Sequence, residues 1–201
     1  MIVFCRTADA LLILASVIMN LGIETMDVET KHLFAGLSPQ TTAFVDCEQP
    51  NIRLTAPSYL TEREPPRALV TCAHGVVMHT GLVVIMRRAD GSHYLPGGPV
   101  NEGESYRDAL ARELYDKCAL AMLRTDYLGF VHFSSGGTGP DPADAYPDMF
   151  HVVYGIAATG SPRLGDIDRF EEEARMVRPS QAAALAGRAY AQPFIEYATQ
   201  S

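Results

Sequence analysis

The 201-residue chain has few cysteines and none of the spacings that mark a cysteine-based site. Its four cysteines, at positions 5, 47, 72 and 118, are scattered and include no C-x-x-C pair. This spacing indicates reduced, mostly buried thiols, and it indicates neither a disulfide framework nor a zinc site. Reduced thiols are typical of the cytoplasm, so we expect a cytoplasmic protein.

The chain also lacks an excess of positive charge, because its formal net charge is −8. Broad binding to nucleic acid needs a basic surface, so the composition argues against a nucleic-acid partner. It leaves room for a small anionic ligand, since a bound metal ion can invert the local field. A hydrophobic content of 47% predicts a packed core and excludes a disordered chain.

Long apolar runs are lacking as well. The segment "ALLILASVIMNLGI", residues 10–23, is shorter than the about 20 apolar residues that span a bilayer, and Ser16, Asn20 and Gly22 interrupt it. We interpret it as a buried helix or a packing extension, which makes a membrane partner the weaker hypothesis. A signal peptide, a membrane anchor and a true start at Met26 remain open alternatives.

The proline pair at 65–66 predicts a boundary, since proline neither continues a helix nor joins a central strand. We predict an N-terminal extension over residues 1–66, comprising the apolar helix and an irregular arm with one short helix near "KHLFAGL". The functional domain is predicted over residues 67–201.

Within that domain, the apolar runs "ALVTCAHGVVM" and "GLVVIMRR" flank a His-Thr-Gly turn and predict an antiparallel hairpin. "YLGFVHF" and "MFHVVYGIAAT" read as strands, and the Ala-rich C-terminus reads as one or two helices. Strands and helices follow no regular βαβ rhythm. The pattern therefore predicts an α/β (α+β) fold, with a mixed sheet and helices on its faces.

"LPGGPVNEGESYRDALARELYDKCAL", residues 95–120, carries the main functional signal. Ser105 predicts a helix N-cap, and Asp108 completes a looser capping box. A buried stripe is predicted from apolar residues near 3.6-residue spacing: Ala109, Leu110, Leu114 and Cys118. Glu113 and Asp116 then lie together on the opposite face of the helix. Converging carboxylates are costly unless a cation lies between them, and Mg²⁺ prefers such oxygens together with substrate phosphates. A glycine turn before this face predicts a site for a metal-bound polyphosphate.

Residues 98–120 resemble a Nudix box: Gly, five residues, Glu, seven residues, then Arg-Glu-apolar-x-Glu-Glu-x-Gly-apolar. The matching residues are Gly98, Glu104, Arg112, Glu113, Leu114 and Leu120. Asp116 is a conservative replacement, whereas Lys117 and Ala119 depart from the pattern. With the hairpin and the later strand, the similarity to the Nudix hydrolase superfamily covers roughly residues 67–185. It implies the Nudix-like fold, a mixed β-sheet sandwiched between helices.

The resemblance implies one to three Mg²⁺ or Mn²⁺ ions that activate water against a diphosphate linked to a nucleoside or another group. By position it implies four metal ligands, Gly97, Glu113, Asp116 and Glu172. The catalytic candidates that it implies are Glu113, Asp116 and Glu173. Arg112 and Glu104 would form the ion pair that orients the helix acids. Weaker candidates for substrate binding are Arg87, Arg88 and His151.

Lys117 occupies the position of a family glutamate that is usually a principal metal ligand. A protonated ammonium has no lone pair for a metal, and Lys117 can pair with Glu113 one turn earlier. A single metal on the remaining ligands would support slow hydrolysis, as in the GDP-mannose hydrolase branch. That branch takes its base from a loop histidine, and here His132 and His151 flank a long Gly/Pro loop. Alternatively, Lys117 replaces the charge of the ion.

We favour a Mg²⁺-dependent pyrophosphohydrolase that acts on a nucleoside diphosphate derivative, nucleotide sugars included. The alternative is a non-catalytic, Nudix-like nucleotide-binding or protein-interaction module. A small nucleotide is the expected partner, and dimers are common in families of this kind. Each candidate also has a structural interpretation: Glu113, Asp116 and the acidic run at 171–173 as solvated acids, and His151 as a packing residue.

Overall fold

The computed structural model describes five stretches of the chain, residues 23–47, 52–134, 148–163, 172–185 and 190–200. Most of the apolar segment 10–23 lies outside them, as does Glu171 of the acidic run. The hypotheses about a buried helix, signal peptide or anchor at the N-terminus therefore stay predictions. No helix within the described stretches is long and apolar enough to cross a membrane.

Four helices and nine strands form in the described residues. The helices are α1 (Ile23–Phe34), α2 (Tyr106–Cys118), α3 (Pro179–Leu185) and α4 (Gln192–Gln200), and a 3-10 turn covers Arg67–Leu69. The strands are β1 (Thr41–Cys47), β2 (Ile52–Leu60), β3 (Val70–His79), β4 (Leu82–Arg88), β5 (His93–Tyr94), β6 (Gly97–Pro99), β7 (Ala121–Phe133), β8 (Met149–Thr159) and β9 (Glu172–Val177).

The strands form one mixed sheet in the order β1-β2-β7-β8-β3-β4-β5. β3 and β8 run parallel, whereas the other pairs are antiparallel. Along one edge of β3 the partner changes, because residues 72–74 pair with β6 and residues 77–79 pair with β4. β9 pairs with β4. The glycine turn at 97–98 is thereby held against the middle of the sheet.

Two apolar clusters lie on the two faces of the sheet and carry the helices. On one face, Leu110 and Leu114 of α2 pack with Phe130 and Phe150, against which Phe34 of α1 also packs. On the other face, residues of the strands pack with residues of α3 and α4. The strand residues include Val76, Val83, Ile85 and Val153, and the helix residues include Ala182, Phe194 and Ile195. The predicted α+β class, with a mixed sheet between helices, is confirmed.

Helix α2 begins and ends as local chemistry requires. The Ser105 side chain accepts a hydrogen bond from the Asp108 backbone N–H at 3.1 Å, and its hydroxyl donates to the Asp108 carboxylate at 2.6 Å. The predicted apolar stripe is buried in full: Ala109, Leu110, Leu114 and Cys118. The helix ends at Cys118, and the capping residue Ala119 takes the left-handed conformation with φ 56°.

The N-terminal arm differs from the irregular segment that its turn-rich sequence predicts. Helix α1 is longer than the short helix expected near "KHLFAGL", and β1 and β2 form a hairpin that pairs Ser58 with Val131 of β7. Pro57 lies inside β2, at a point where the ladder between β2 and β7 is interrupted. A proline, which has no N–H, is tolerated there. The proline and turn residues of this segment therefore predict irregular structure from the sequence alone, instead of strand β2. The boundary at residue 66 stays a prediction.

Candidate active site

The glycine pair lets the β6 turn lie in contact with both β3 and α2. Gly97 pairs with His74 of β3 and has φ 138°, a conformation that favours glycine. A Cβ atom at Gly97 would lie 2.2 Å from the Ala73 carbonyl oxygen. A Cβ atom at Gly98 would lie 2.5 Å from the carboxyl carbon of Glu113. The helix acid therefore lies directly against the turn.

Glu113 is a buried carboxylate with a cation on each oxygen. Its exposed fraction is 8%, which is costly for a charge unless it is paired. One oxygen, Oε1, accepts a hydrogen bond from Nη1 of Arg112, and the other, Oε2, lies 3.3 Å from Nζ of Lys117. The sequence pattern predicted the acid, and the structure shows that two neighbouring cations balance it.

The Lys117 ammonium lies between the helix and the turn. Nζ donates a hydrogen bond to the Gly97 carbonyl oxygen at 3.2 Å and lies 5.6 Å from the centre of the Tyr94 ring. Together with the contact to Glu113, this places two of the predicted ligand oxygens around one positive charge. In this structure the positive charge is the ammonium group of Lys117.

Arg112 ties the loop before α2 to the helix through a forked contact. Its Nε and Nη2 donate to the two carboxylate oxygens of Glu104, each at 2.9 Å, and Nη2 also donates to the Pro99 carbonyl at 3.0 Å. Glu104 further accepts a hydrogen bond from the Asn101 backbone at 2.9 Å. The hydrogen bond from Arg112 is the largest of the causes that lower the pKa of Glu104 to about 2. The geometry is that of an orienting ion pair, and its role in catalysis stays a prediction.

The other predicted acids, Asp116, Glu172 and Glu173, lie in different surroundings. Asp116 is exposed on α2, and its backbone carbonyl accepts a hydrogen bond from the Arg163 guanidinium. Glu173 is 8% exposed on β9 and contacts the guanidinium of Arg175, with Nη1 of Arg87 at 3.6 Å. The hydrogen bond from Arg175 lowers the pKa of Glu173. Glu172 lies on the same strand, and its side chain lies outside the described residues.

Comparison with known proteins decides the family. A model of the NUDIX domain matches residues 69–198, which is more than half of the chain. The chain belongs to the Nudix hydrolase family. Membership places the chain in general terms among pyrophosphohydrolases that act on small molecules. A comparison with curated proteins found no match.

Solved structures share the Nudix fold at low sequence identity. A variant of the pyrophosphohydrolase BsRppH from Bacillus subtilis aligns with a TM-score of 0.54 and 15% identity, over 80% of this chain and 96% of that one. The mutator MutT protein from Bacillus halodurans aligns with a TM-score of 0.51 and 13% identity, over 65% of this chain and 82% of that one. These similarities show the fold.

Further cations of this Nudix domain lie near the glycine turn. Arg88 stacks on Tyr94, with the guanidinium carbon 3.9 Å from the ring centre, so Arg88 and Lys117 share one aromatic ring. Arg87 pairs in register with His93 of β5. Burial lowers the pKa of His93, and Arg175 and Arg87 lower it further. The predicted substrate-binding arginines thus lie beside the strand that leads into the turn.

The two histidines that flank the Gly/Pro-rich stretch of the sequence differ in their surroundings. His132 Nε2 lies 2.7 Å from Oδ1 of Asp148, and its ring stacks on Phe150 at 4.8 Å. His151 pairs in register with Cys72 of β3, and its ring centre lies 5.1 Å from that of His74. His151 alternates along β8 with Phe150, which packs toward α2, so the His151 side chain lies on the other face of the sheet. The grouping of His151 with Cys72 and His74 had no counterpart in the sequence patterns.

The Nudix family generally uses a divalent ion, and the donor atoms of this site fit one. The Gly97 carbonyl oxygen and Glu113 Oε2 are hard oxygen ligands of the kind that Mg²⁺ and Mn²⁺ prefer. Both already lie within 3.3 Å of a positive charge, the Lys117 ammonium. An ion at this position therefore requires the Lys117 side chain to move aside.

Proposed function

We propose that this Nudix hydrolase cleaves the diphosphate of a nucleoside diphosphate linked to another group, such as a nucleotide sugar, with one Mg²⁺ or Mn²⁺ ion. The observation that carries the proposal is the convergence of the Gly97 carbonyl and Glu113 Oε2 on one cation, at 3.2 and 3.3 Å. A buried acid between two cations is an expensive arrangement for a purely structural role.

The ion would be held by Gly97, Glu113 and Asp116, with Glu172 as a further ligand. When bound, such an ion polarises the phosphoryl oxygens and lowers the pKa of a bound water. One ion is proposed rather than several because Lys117 supplies no lone pair at the position of the usual glutamate ligand.

The side chains around the ion position would prepare the site. Arg112 holds Oε1 of Glu113, while Oε2 lies beside Lys117 and against the glycine turn. Lys117, once displaced, stays attached to α2 and carries a charge that can meet a phosphate oxygen. Arg88, fixed on the Tyr94 ring, offers a second guanidinium contact.

Glu173 is the proposed base. It alternates along β9 with Ala174, which packs toward α2, so its side chain lies on the other face of the sheet and would take the proton through a bridging water. The neighbouring Arg175 and Arg87 keep its carboxylate ionised at neutral pH, so it can accept a proton. Their charges also make it a weaker base, which fits the slow hydrolysis expected of a reduced metal site. The same contacts fix the position of Arg87 beside β5.

The test is turnover by the purified full chain. The protein would be incubated with a panel of nucleotide sugars and dinucleotides plus Mg²⁺ or Mn²⁺, and the release of nucleoside monophosphate followed by phosphorus NMR. We expect metal-dependent turnover that falls by about a hundredfold or more in Glu113→Gln, because a principal ligand is lost. Glu102→Gln, which changes an exposed acid of the preceding loop, should keep the wild-type rate.

Binding of these nucleotides without turnover, unchanged by EDTA, would contradict the proposal and support the non-catalytic module. For its setting we propose a cytoplasmic homodimer without a nucleic-acid partner. Light scattering coupled to size-exclusion chromatography would test the dimer, and a monomeric mass would contradict it.

A further inference from the structure

Three metal-binding side chains meet on the face of β3 and β8 that is turned away from α2. The sulfur of Cys72 and one ring nitrogen each of His74 and His151 all lie within 4.8 Å of one another. Strand geometry explains the grouping. Cys72 and His151 are register partners on adjacent strands, and His74, two residues after Cys72, projects from the same face.

The donor atoms select a different class of ion from the oxygen site at the glycine turn. Thiolate and imidazole ligands suit Zn²⁺ and related transition metals, whereas Mg²⁺ prefers oxygen. Tetrahedral zinc bonds place the ligand atoms about 3.3–3.6 Å apart. The observed limit of 4.8 Å therefore exceeds the spacing of a closed site by about 1.2–1.5 Å, a gap that side-chain rotations can cover.

Two further contacts prepare these side chains for a metal. The Leu95 carbonyl oxygen lies 3.4 Å from Nδ1 of His74, so an N–H there can donate to it and leave Nε2 with its lone pair outward. The rings of His151 and Phe133 lie 4.5 Å apart, which limits the orientations open to His151. A histidine ring held by a backbone carbonyl is a common support of a metal ligand.

A small pocket adjoins the cluster and offers a fourth coordination position. Its volume is about 20 Å³, enough for one water or one ligand atom and too small for a nucleobase. Its lining includes His74, His93, Leu95, His151 and Phe194. Within the described residues, the buried Nε2 of His93 has no hydrogen-bond partner. Buried polar atoms normally have a partner, so this nitrogen is free to bond to a group bound in the pocket.

We infer that Cys72, His74 and His151 bind a transition-metal ion of the zinc class, with the fourth position open to the pocket beside His93. This site is separate from the oxygen site, because it lies on the opposite face of β3. The two are linked through the backbone, since His74 pairs in register with Gly97. Occupation of the site would stiffen the strand against which the glycine turn rests.

Cobalt binding tests the inference independently of hydrolysis. The chelator-stripped full chain would be titrated with Co²⁺, and we expect a thiolate-to-cobalt charge-transfer band that Zn²⁺ abolishes by displacing the cobalt. Cys72→Ser should remove the band. His151→Ala should weaken binding by more than about a hundredfold, since the loss of a ligand costs more than the tenfold to hundredfold loss caused by removing a supporting contact. Cys118→Ala, which changes a buried cysteine on the other face, should keep the band, as should Glu113→Gln.

A measurement on the wild-type chain guards against variants that fail to fold. X-ray absorption of the Zn²⁺-loaded protein should show one sulfur at about 2.3 Å and at least two imidazole nitrogens at about 2.0–2.1 Å. Scattering from oxygen and nitrogen alone would overturn the inference, as would a cobalt band that survives Cys72→Ser. Loss of the band in Glu113→Gln would also overturn it, because the metal would then belong to the oxygen site.

Discussion

The two halves of the Nudix-box region have diverged to different degrees. From the glycine turn to Glu113, every element of the pattern is present and engaged: Gly98 touches the Glu113 carboxylate, and Arg112 spans Glu104 and Pro99. After Glu113, the chain departs from the pattern at Lys117 and Ala119. The first half retains the contacts of the pattern, while the second half places an ammonium where the pattern has an acid.

The comparison teaches that the scaffold and the proposed ion site are separable along one helix. The contacts of Arg112 are made with neighbouring backbone and carboxylate groups, so they need no ion to persist. Lys117 supplies a positive charge where the pattern supplies a ligand. We therefore expect substitutions in the first half to cost stability, and substitutions in the second half to change ion affinity or even stabilise the chain.

The largest effect is expected at the turn. Gly97→Ala should lower the free energy of unfolding by about 3 kcal/mol, because its Cβ would collide with the Ala73 carbonyl and its φ is unfavourable for alanine. Gly103→Ala is the matched control, since Gly103 has φ 74° with open space around it and should cost only about 1 kcal/mol. Urea denaturation measures both, and equal losses would contradict the close contact.

A smaller loss is expected from Arg112→Ala, about 2 kcal/mol, because Glu104, Glu113 and the Pro99 carbonyl all lose a charged donor. Arg107→Ala, at an exposed arginine of the same helix, should stay within about 0.5 kcal/mol of the wild type. Denaturation midpoints would distinguish them. A harmless Arg112→Ala would mean that the first half is not a scaffold.

In the second half, Lys117→Glu should tighten Mn²⁺ binding about tenfold, or about 1.4 kcal/mol, because it removes a competing cation and adds a carboxylate. Lys31→Glu provides the same change of charge at the other lysine of the chain, exposed on α1, and should leave affinity nearly unchanged. Titration followed by electron paramagnetic resonance measures both. A flat Mn²⁺ titration for Lys117→Glu would contradict the site geometry.

The smallest effect is a gain. Ala119→Gly should raise the free energy of unfolding by about 0.5–1 kcal/mol, because Ala119 closes α2 with a left-handed backbone that glycine adopts without strain. The opposite sign is expected for Ala111→Gly, an exposed mid-helix position that should lose about 1 kcal/mol. Thermal unfolding would reveal both signs. A loss in Ala119→Gly would contradict the strain.

The sequence predicted the elements whose signals are local. The hairpin of β3 and β4 turns at the expected His-Thr-Gly, and β8 covers the expected "MFHVVYGIAAT". The helix cap at Ser105 and the buried stripe of α2 also follow from spacing alone. β1 and β2 were missed, because Pro57 and the flanking turn residues outweighed short alternating runs whose pairing partner, β7, comes much later in the chain.

For the site, spacing could place Glu113 and Lys117 on one helix face, but it could not show where the ammonium would rest. Its contact with the Gly97 carbonyl depends on how closely the turn approaches, and the sheet sets that distance. Cys72 and His151 illustrate the same limit. They are far apart in sequence and meet only through the parallel pairing of β3 with β8, so a search for short cysteine spacings passes over them.

The lysine bridge between α2 and the turn has a consequence for how the enzyme would sense metal ions. A competitor attached to the same helix is never diluted, so its local concentration stays high whatever the amount of protein in solution. An incoming ion would have to outcompete this resident charge, which would raise the metal concentration needed for loading. The same charge keeps the carboxylate and the carbonyl in position beforehand. The metal concentration at half-saturation should then be high and independent of the enzyme concentration, because the competing charge is part of the same molecule.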